Sequence, residues 1–334
     1  MKRILALIFS VGFSVAALAQ QQPLYSNYML NNFINNPALA GIEDYMDTKA
    51  SFRRQWTNIP GSPTTAFISA HAALNQADLN KEELGSLPMR GASTIRFKTL
   101  APKKIRHGVG GFVINDNAAH ITNNSVFMGY SIHLPLNQTW YLATGLNVGA
   151  RFFRLNNSNI ELKNPADAAF AGTNIPAIPD MNFGLMLYSE RLYFGASTSQ
   201  VFANDFSFVR DASVYKSATL TRHFYGTISY QLPIDVDFDL MPNAMVRYTT
   251  NGAPISVDVG GKIRYQKTFW AGASYRWNSA VAGLVGFNLY KTLDLAYAFD
   301  FTTTALNVGN VGTHEVVLGV RLNNKKATSA PKIW

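Results

Sequence analysis

The 334-residue sequence contains no cysteine. That excludes disulfides, thiol chemistry, cysteine-ligated metals and a lipoprotein anchor. Charge is also scarce: 15% of residues are Asp, Glu, Lys or Arg, against roughly 25% in an average soluble protein. The chain lacks the long apolar runs of a helical membrane protein, which needs about 20 consecutive apolar residues per span. Yet 47% of the residues are hydrophobic and 13% aromatic, which is too apolar for disorder. Such a chain either buries a very large interior, as a soluble β-sandwich does, or turns its apolar surface to lipid.

What is present is alternation. Residues 292–301 read TLDLAYAFDF, with Leu293, Leu295, Tyr297, Phe299 and Phe301 on one side and Asp294 and Asp300 on the other. A period of two belongs to an extended strand. The pattern predicts strands near 48–57, 64–75, 107–116, 124–136, 139–153, 180–189, 191–201, 218–233, 237–250, 254–266, 268–278, 280–290, 292–303 and 313–323. These segments are fourteen in number, and an even count suits a bacterial single-chain barrel. The expected fold is all-β, a transmembrane antiparallel β-barrel of 14 strands over 48–323, preceded by a short N-terminal plug over 20–47 and followed by a tail over 324–334.

The first residues read as an export signal. Lys2 and Arg3 precede an apolar stretch from Ile4 to Leu18, and Ala17-Leu18-Ala19 fits a cleavage site before Gln20. An exported chain of net charge +9 with scattered Lys and Arg is a poor nucleic-acid binder. Anionic lipid headgroups or an acidic partner suit it better. In the plug region, Asn36-Pro37 followed by Gly41 predicts a short helical turn, with Asn as cap, Pro at the first position and Gly at the exit.

The two faces of each strand differ in chemistry. Ile255, Val257, Val259, Ile263 and Tyr265 are expected to meet lipid, while Asp258, Lys262 and Arg264 point inward. Arg276, Asp294, Asp300, Glu315 and Arg321 are lumen-facing candidates too. A charge facing mid-bilayer costs roughly 2–4 kcal/mol, so charges collect on the lumen face. The four carboxylates Asp258, Asp294, Asp300 and Glu315 are expected to pair with Lys262, Arg264, Arg276 and Arg321. Arg54 and Arg222 share faces with apolar neighbours and are expected at strand ends, where long side chains snorkel. Trp56, Trp140, Tyr141, Tyr188, Tyr248, Trp270, Trp277 and Tyr290 are expected in interfacial girdles. Strand-internal glycines such as Gly108, Gly145 and Gly149 permit sheet curvature and close approach of a plug.

Catalytic constellations are hard to find. The histidines at 71, 107, 120, 133, 223 and 314 show no metal-ligand spacing, so a hydrogen-bonding role in the lumen is expected for those inside strands. Ser213-Val214-Tyr215-Lys216 matches S-x-x-K but lacks the companion S-D-N and K-T-G elements. Gly108-Val109-Gly110-Gly111 precedes no helix, against a nucleotide-loop reading. No enzyme, metal or cofactor is expected.

An ordered set of motifs carries a family resemblance. Tyr25-Ser26-Asn27-Tyr28-Met29 is followed by Asn36-Pro37-Ala38-Leu39-Ala40-Gly41. Next come Arg53-Arg54-Gln55-Trp56, Gly61-Ser62-Pro63-Thr64-Thr65 and Ser69-Ala70-His71. Further elements are His133-Leu134-Pro135, Pro179-Asp180-Met181-Asn182-Phe183-Gly184, Phe269-Trp270-Ala271-Gly272 and Thr313-His314-Glu315. In this order they resemble the PorP/SprF family of type IX secretion membrane proteins over nearly the whole mature chain. Leu30 and Leu39 stand where that family often has aromatics, and the 76–106 connection is long for it.

The resemblance implies an outer-membrane component of the type IX secretion and gliding machinery. Its implied partners are other components of that machinery and a secreted surface protein or adhesin with a type B C-terminal domain. Under it, Tyr28, Asn36, Pro37, Ala38 and Gly41 shape the plug, and Arg53 and Trp56 hold it to the first strand. A different function fits the same barrel with a hatch: a FadL-like channel for a small hydrophobic solute. A continuous apolar tunnel favours transport, whereas a polar cavity favours a protein partner.

Overall fold

The computed structural model describes residues 28–29, 31–74, 104–156, 175, 177–206, 218–289 and 292–323. The export signal and the C-terminal tail lie outside the described residues. Fourteen strands form the wall. The first seven are β1 (Met46–Arg54), β2 (Thr64–Ala73), β3 (Arg106–Ala118), β4 (Ile121–Pro135), β5 (Tyr141–Leu155), β6 (Ile178–Tyr188) and β7 (Leu192–Ser199). The other seven are β8 (His223–Tyr230), β9 (Phe238–Thr249), β10 (Ser256–Tyr265), β11 (Phe269–Arg276), β12 (Ala280–Leu289), β13 (Leu293–Thr302) and β14 (Thr313–Leu322).

Consecutive strands pair antiparallel all the way round, and the last returns to the first. β1 and β14 are joined with Arg53 opposite Glu315, and β8 and β9 with His223 opposite Thr249. Every wall strand thus has two partners, and the sheet is a closed barrel. Closure lets the backbone satisfy its own donors and acceptors where no water is at hand.

The alternation falls as the residue types dictate. Along β13, Leu295, Tyr297 and Phe301 are exposed on the outside, while Ala296, Ala298, Asp300 and Thr302 are buried inside. Along β10, Val259, Ile263 and Tyr265 face out, and Asp258, Lys262 and Arg264 face in. Phe52, Val113, Met128, Leu146 and Phe183 continue the outer apolar belt. Arg54 ends β1 and Arg222 immediately precedes β8, both exposed.

Several details differ from the sequence reading. The predicted strand 218–233 is β8 at its centre with a short strand, Leu232–Pro233, pairing to Leu240 and Asp239 at its end; Ala218–Thr219 instead pairs with Asp205–Phe206 in a separate two-stranded sheet. The gap predicted between 116 and 124 is spanned by strand, and a two-residue turn at 119–120 joins β3 to β4. Two aromatics expected in the girdles point inward. Tyr188 is 1% exposed and Trp270 5%, because their register places them on the buried face of β6 and β11. Trp277 and Tyr248 do face outward.

Strand parity sorts the connections between two mouths. Five short connections, 136–140, 189–191, 231–237, 266–268 and 290–292, share one mouth with the start of β1 and the end of β14. Short turns mark the periplasmic side of outer-membrane barrels. The opposite mouth carries 156–177, 200–222 and 303–312 together with the tight turns at 119–120 and 277–279. The long connection 74–105 emerges at the short-turn mouth, away from the other long segments.

A closed barrel is expected to migrate faster on a gel when unheated than when boiled. Identical migration, with solubility in the absence of detergent, would contradict the closed wall.

Candidate functional site

The lumen is crossed by residues 31–45. Its central piece is a single 3-10 turn, Pro37–Leu39, and the sequence folds it locally by side-chain capping. The Asn36 Oδ1 accepts from the Ala38 amide at 3.0 Å, and Pro37 occupies the first helical position, where an amide hydrogen would be wasted. Gly41 turns the chain back at φ +71°, a conformation that costs glycine little.

The wall is shaped to receive this segment. A Cβ on Gly145 of β5 would overlap the Pro37 carbonyl group, and one on Gly184 of β6 would overlap the Asn36 side chain. Polar groups then fix the position. Asn36 Nδ2 donates to the Leu185 carbonyl at 3.2 Å and approaches the Tyr193 hydroxyl at 3.5 Å. The Ala40 carbonyl accepts from Ser131 Oγ at 2.6 Å and from His133 Nε2 at 2.8 Å. His133 Nδ1 is then free to accept from the Tyr188 hydroxyl at 2.9 Å. Phe33, Ile34, Ala38, Leu39 and Ile42 pack with Phe67, Phe112, Phe127 and Met186 of the wall.

The opposite half of the lumen is filled by Tyr28 and Met29, which cluster with Tyr225, Met245, Trp270 and Leu284. Tyr28 donates to Asn243 Oδ1 at 2.6 Å. Burial, with the Asp258 carboxylate adding to it, pushes the Tyr28 phenol well above its usual range, so the hydroxyl remains a donor. At the exit of the segment, Glu43, Asp44 and Tyr45 lead into β1, and Arg106 pairs with Asp44 at 2.7 Å.

Ion pairs line the wall. Arg276 meets Asp258 at 3.0 Å, Arg321 meets Asp294 at 2.6 Å, Arg264 meets Asp239 at 2.7 Å and Arg151 meets Asp180 at 2.7 Å. Two of these match the pairing expected from sequence. Asp300 and Glu315 depart from it: both are held by Arg53, at 3.2 Å and 3.9 Å. Arg53 therefore stitches β1 to β13 and β14, in place of the expected tie to the plug. Trp56 is displaced from its expected role as well. It follows β1 at the long-loop mouth, where its amide donates to Thr313 Oγ1 at 3.2 Å. Lys262 lies over the Trp270 ring at 5.3 Å, with no ion pair among the described residues.

Between the segment and the long-loop mouth is a cavity of about 20 Å³, lined by Ile34, Asn35, Asp116, Ser125, Arg151, Asn182 and Tyr225 among others. That holds little more than one water. Sequence reasoning missed Ser131, Tyr188, Tyr193 and Gly184, whose partners lie many residues away; strand-internal position and inward parity were the only signals.

The family described as type IX secretion system membrane protein PorP/SprF matches residues 17–320. The chain belongs to the PorP/SprF family. Among curated proteins, none matches it. Solved structures with a similar outline include the toluene transporter TbuX of Ralstonia pickettii, 7% identical, with 87% of this chain and 92% of that one covered at a TM-score of 0.45. Another is the Pseudomonas putida toluene transporter TodX, 10% identical, with 90% and 95% covered at a TM-score of 0.47. Likeness this loose adds nothing to the barrel that the strand pairings establish. PorP/SprF membership and the closed wall make this an outer-membrane protein of the type IX secretion system, a setting that implies contact with other secretion components.

Two substitutions test the site. Gly145→Val is expected to displace the 3-10 turn and raise ion conductance across planar bilayers above that of the native barrel; unchanged conductance would show that the turn does not seal the lumen. Arg53→Ala removes the guanidinium that holds two buried carboxylates and is expected to cost about 3–5 kcal/mol, read by urea unfolding in micelles, with Arg53→Lys less damaging.

Proposed function

We propose that this PorP/SprF barrel supports secretion or surface anchoring of a cognate protein bearing a type B C-terminal domain. The supporting observation is the filled lumen, in which buried ion pairs sit beside the apolar packing of the segment. Residues 31–45 cross it and buried ion pairs line it. A lumen of this kind suits a rigid platform that grips a protein at its surface mouth. Partner contacts fall to the connections 156–177, 200–222 and 303–312 at the long-loop mouth, and strand addition there is one available mode.

In this reading the chain divides into an export signal over 1–19, a plug over 20–47 and a barrel over 48–323. Tyr28, Asn36, Pro37, Ala38 and Gly41 hold the plug shut. The luminal charges Asp258, Lys262, Arg264, Arg276, Asp294, Asp300, Glu315 and Arg321 keep the wall rigid and carry no chemistry. A FadL-like channel for a hydrophobic solute requires an apolar route past Arg53, Arg151 and Arg276.

Deleting the gene is expected to remove one large surface protein from the cell envelope while other type IX cargo persists. An intact surface profile combined with impaired uptake of an apolar solute would overturn the proposal in favour of the channel.

A further inference from the structure

Three side chains distant in function from the ion-pair network converge where the luminal segment joins the wall. Glu43 belongs to the segment, Asp47 to β1 and His71 to β2. All three are buried, at 4%, 4% and 6% exposure. One ligand atom from each lies within 4.8 Å of the other two. Glu43 Oε2 is 3.5 Å from His71 Nδ1, and Asp47 Oδ2 is 3.8 Å from His71 Nε2.

The hydrogen bonding around them is incomplete. Lys49 takes Asp47 Oδ2 at 2.8 Å, but the buried Asp47 Oδ1 and His71 Nδ1 have no hydrogen-bond partner. A buried carboxylate oxygen with nothing to accept from is costly, and in a native fold it calls for an explanation such as a bound ion or water. The Phe33 ring packs on His71 with centroids 4.8 Å apart and walls off that side. Nearby, Arg321 is engaged by Asp294, so Lys49 is the cation in contact with Asp47.

We propose that Glu43, Asp47 and His71 bind a divalent first-row transition-metal ion, of which zinc is the natural probe. Two carboxylates and an imidazole form a mixed oxygen and nitrogen donor set suited to such ions. Zinc holds these donors at about 2.0–2.2 Å, hence about 3.3 Å from one another in a tetrahedron, so the triad tightens on binding. One imidazole nitrogen ligates the ion; Nδ1 lies on the Glu43 side of the ring and Nε2 on the Asp47 side. Lys49 keeps its hold on Asp47 and orients it. The ion joins three separate pieces of chain and locks the exit of the luminal segment to the first hairpin. The site is independent of the secretion reading, since it needs only the described barrel.

The test uses the mature full-length protein in detergent micelles, stripped with a chelator and dialysed. Calorimetric titration with zinc is expected to show one equivalent bound, and Glu43→Gln and His71→Gln are each expected to weaken binding at least tenfold. Limited proteolysis gives a second reading: stripping the native protein is expected to speed cleavage within 31–45, and zinc to restore protection. Heat-modifiable migration identifies which variants keep the barrel. If a variant does not fold, cobalt added to the native protein replaces it, with visible bands of nitrogen and oxygen ligation expected. No zinc uptake by the native barrel, or equal affinity in folded variants, would overturn the proposal and leave an imidazole lodged between two carboxylates. Absence of the cobalt bands would overturn it equally.

Discussion

A backbone amide or carbonyl in hydrocarbon must find its partner within the protein, at a cost of several kcal/mol if it does not. The rest of this structure follows from that requirement. It forces the sheet to close, so β14 returns to β1. Closure produces an inside and an outside, and the pleat then assigns alternate residues to each. Charge can reside only where lipid is not, so the arginines and carboxylates collect in the lumen and pair there. The scarcity of charge in the whole sequence is the same requirement seen from outside.

The lumen faces the opposite difficulty. A tube walled with ion pairs is wet and open unless something occupies it. Residues 31–45 do so by combining two kinds of contact. Apolar groups such as Phe33, Leu39 and Ile42 fill volume, and Asn36 and the Ala40 carbonyl provide direction through bonds to Tyr193, Ser131 and His133. Small residues on the wall, Gly145 and Gly184, set how near the turn can lie.

Much of this could be read from the chain alone. The period-two pattern is local, so β10 and β13 were legible in both position and facing. The 3-10 turn was legible because its cap, proline and exit glycine are neighbours in sequence. What escaped reading is set by register between distant strands. Arg53 meets Asp300 and Glu315 only because β1 lies beside β14 and near β13. Tyr188 and Trp270 carry the residue type of a girdle, but parity turned them inward. The triad of Glu43, Asp47 and His71 assembles from a turn and two strands, and no spacing in the sequence announces it. The fold was therefore more legible than the site, since pleating is local and pairing is not.

The position of the luminal segment immediately before β1 has a consequence for how the barrel is made. Met46 begins the strand that seals the wall against β14, and Tyr45 belongs to the segment inside. The seam is therefore the joint between the earliest wall strand and the latest, with the filling attached to one side of it. While the seam is open, the filling can be laid in from the flank; once it shuts, entry is confined to the mouths. The filling and the seam are thus neighbours along the chain as well as in space, so any disturbance of the one is felt directly at the other.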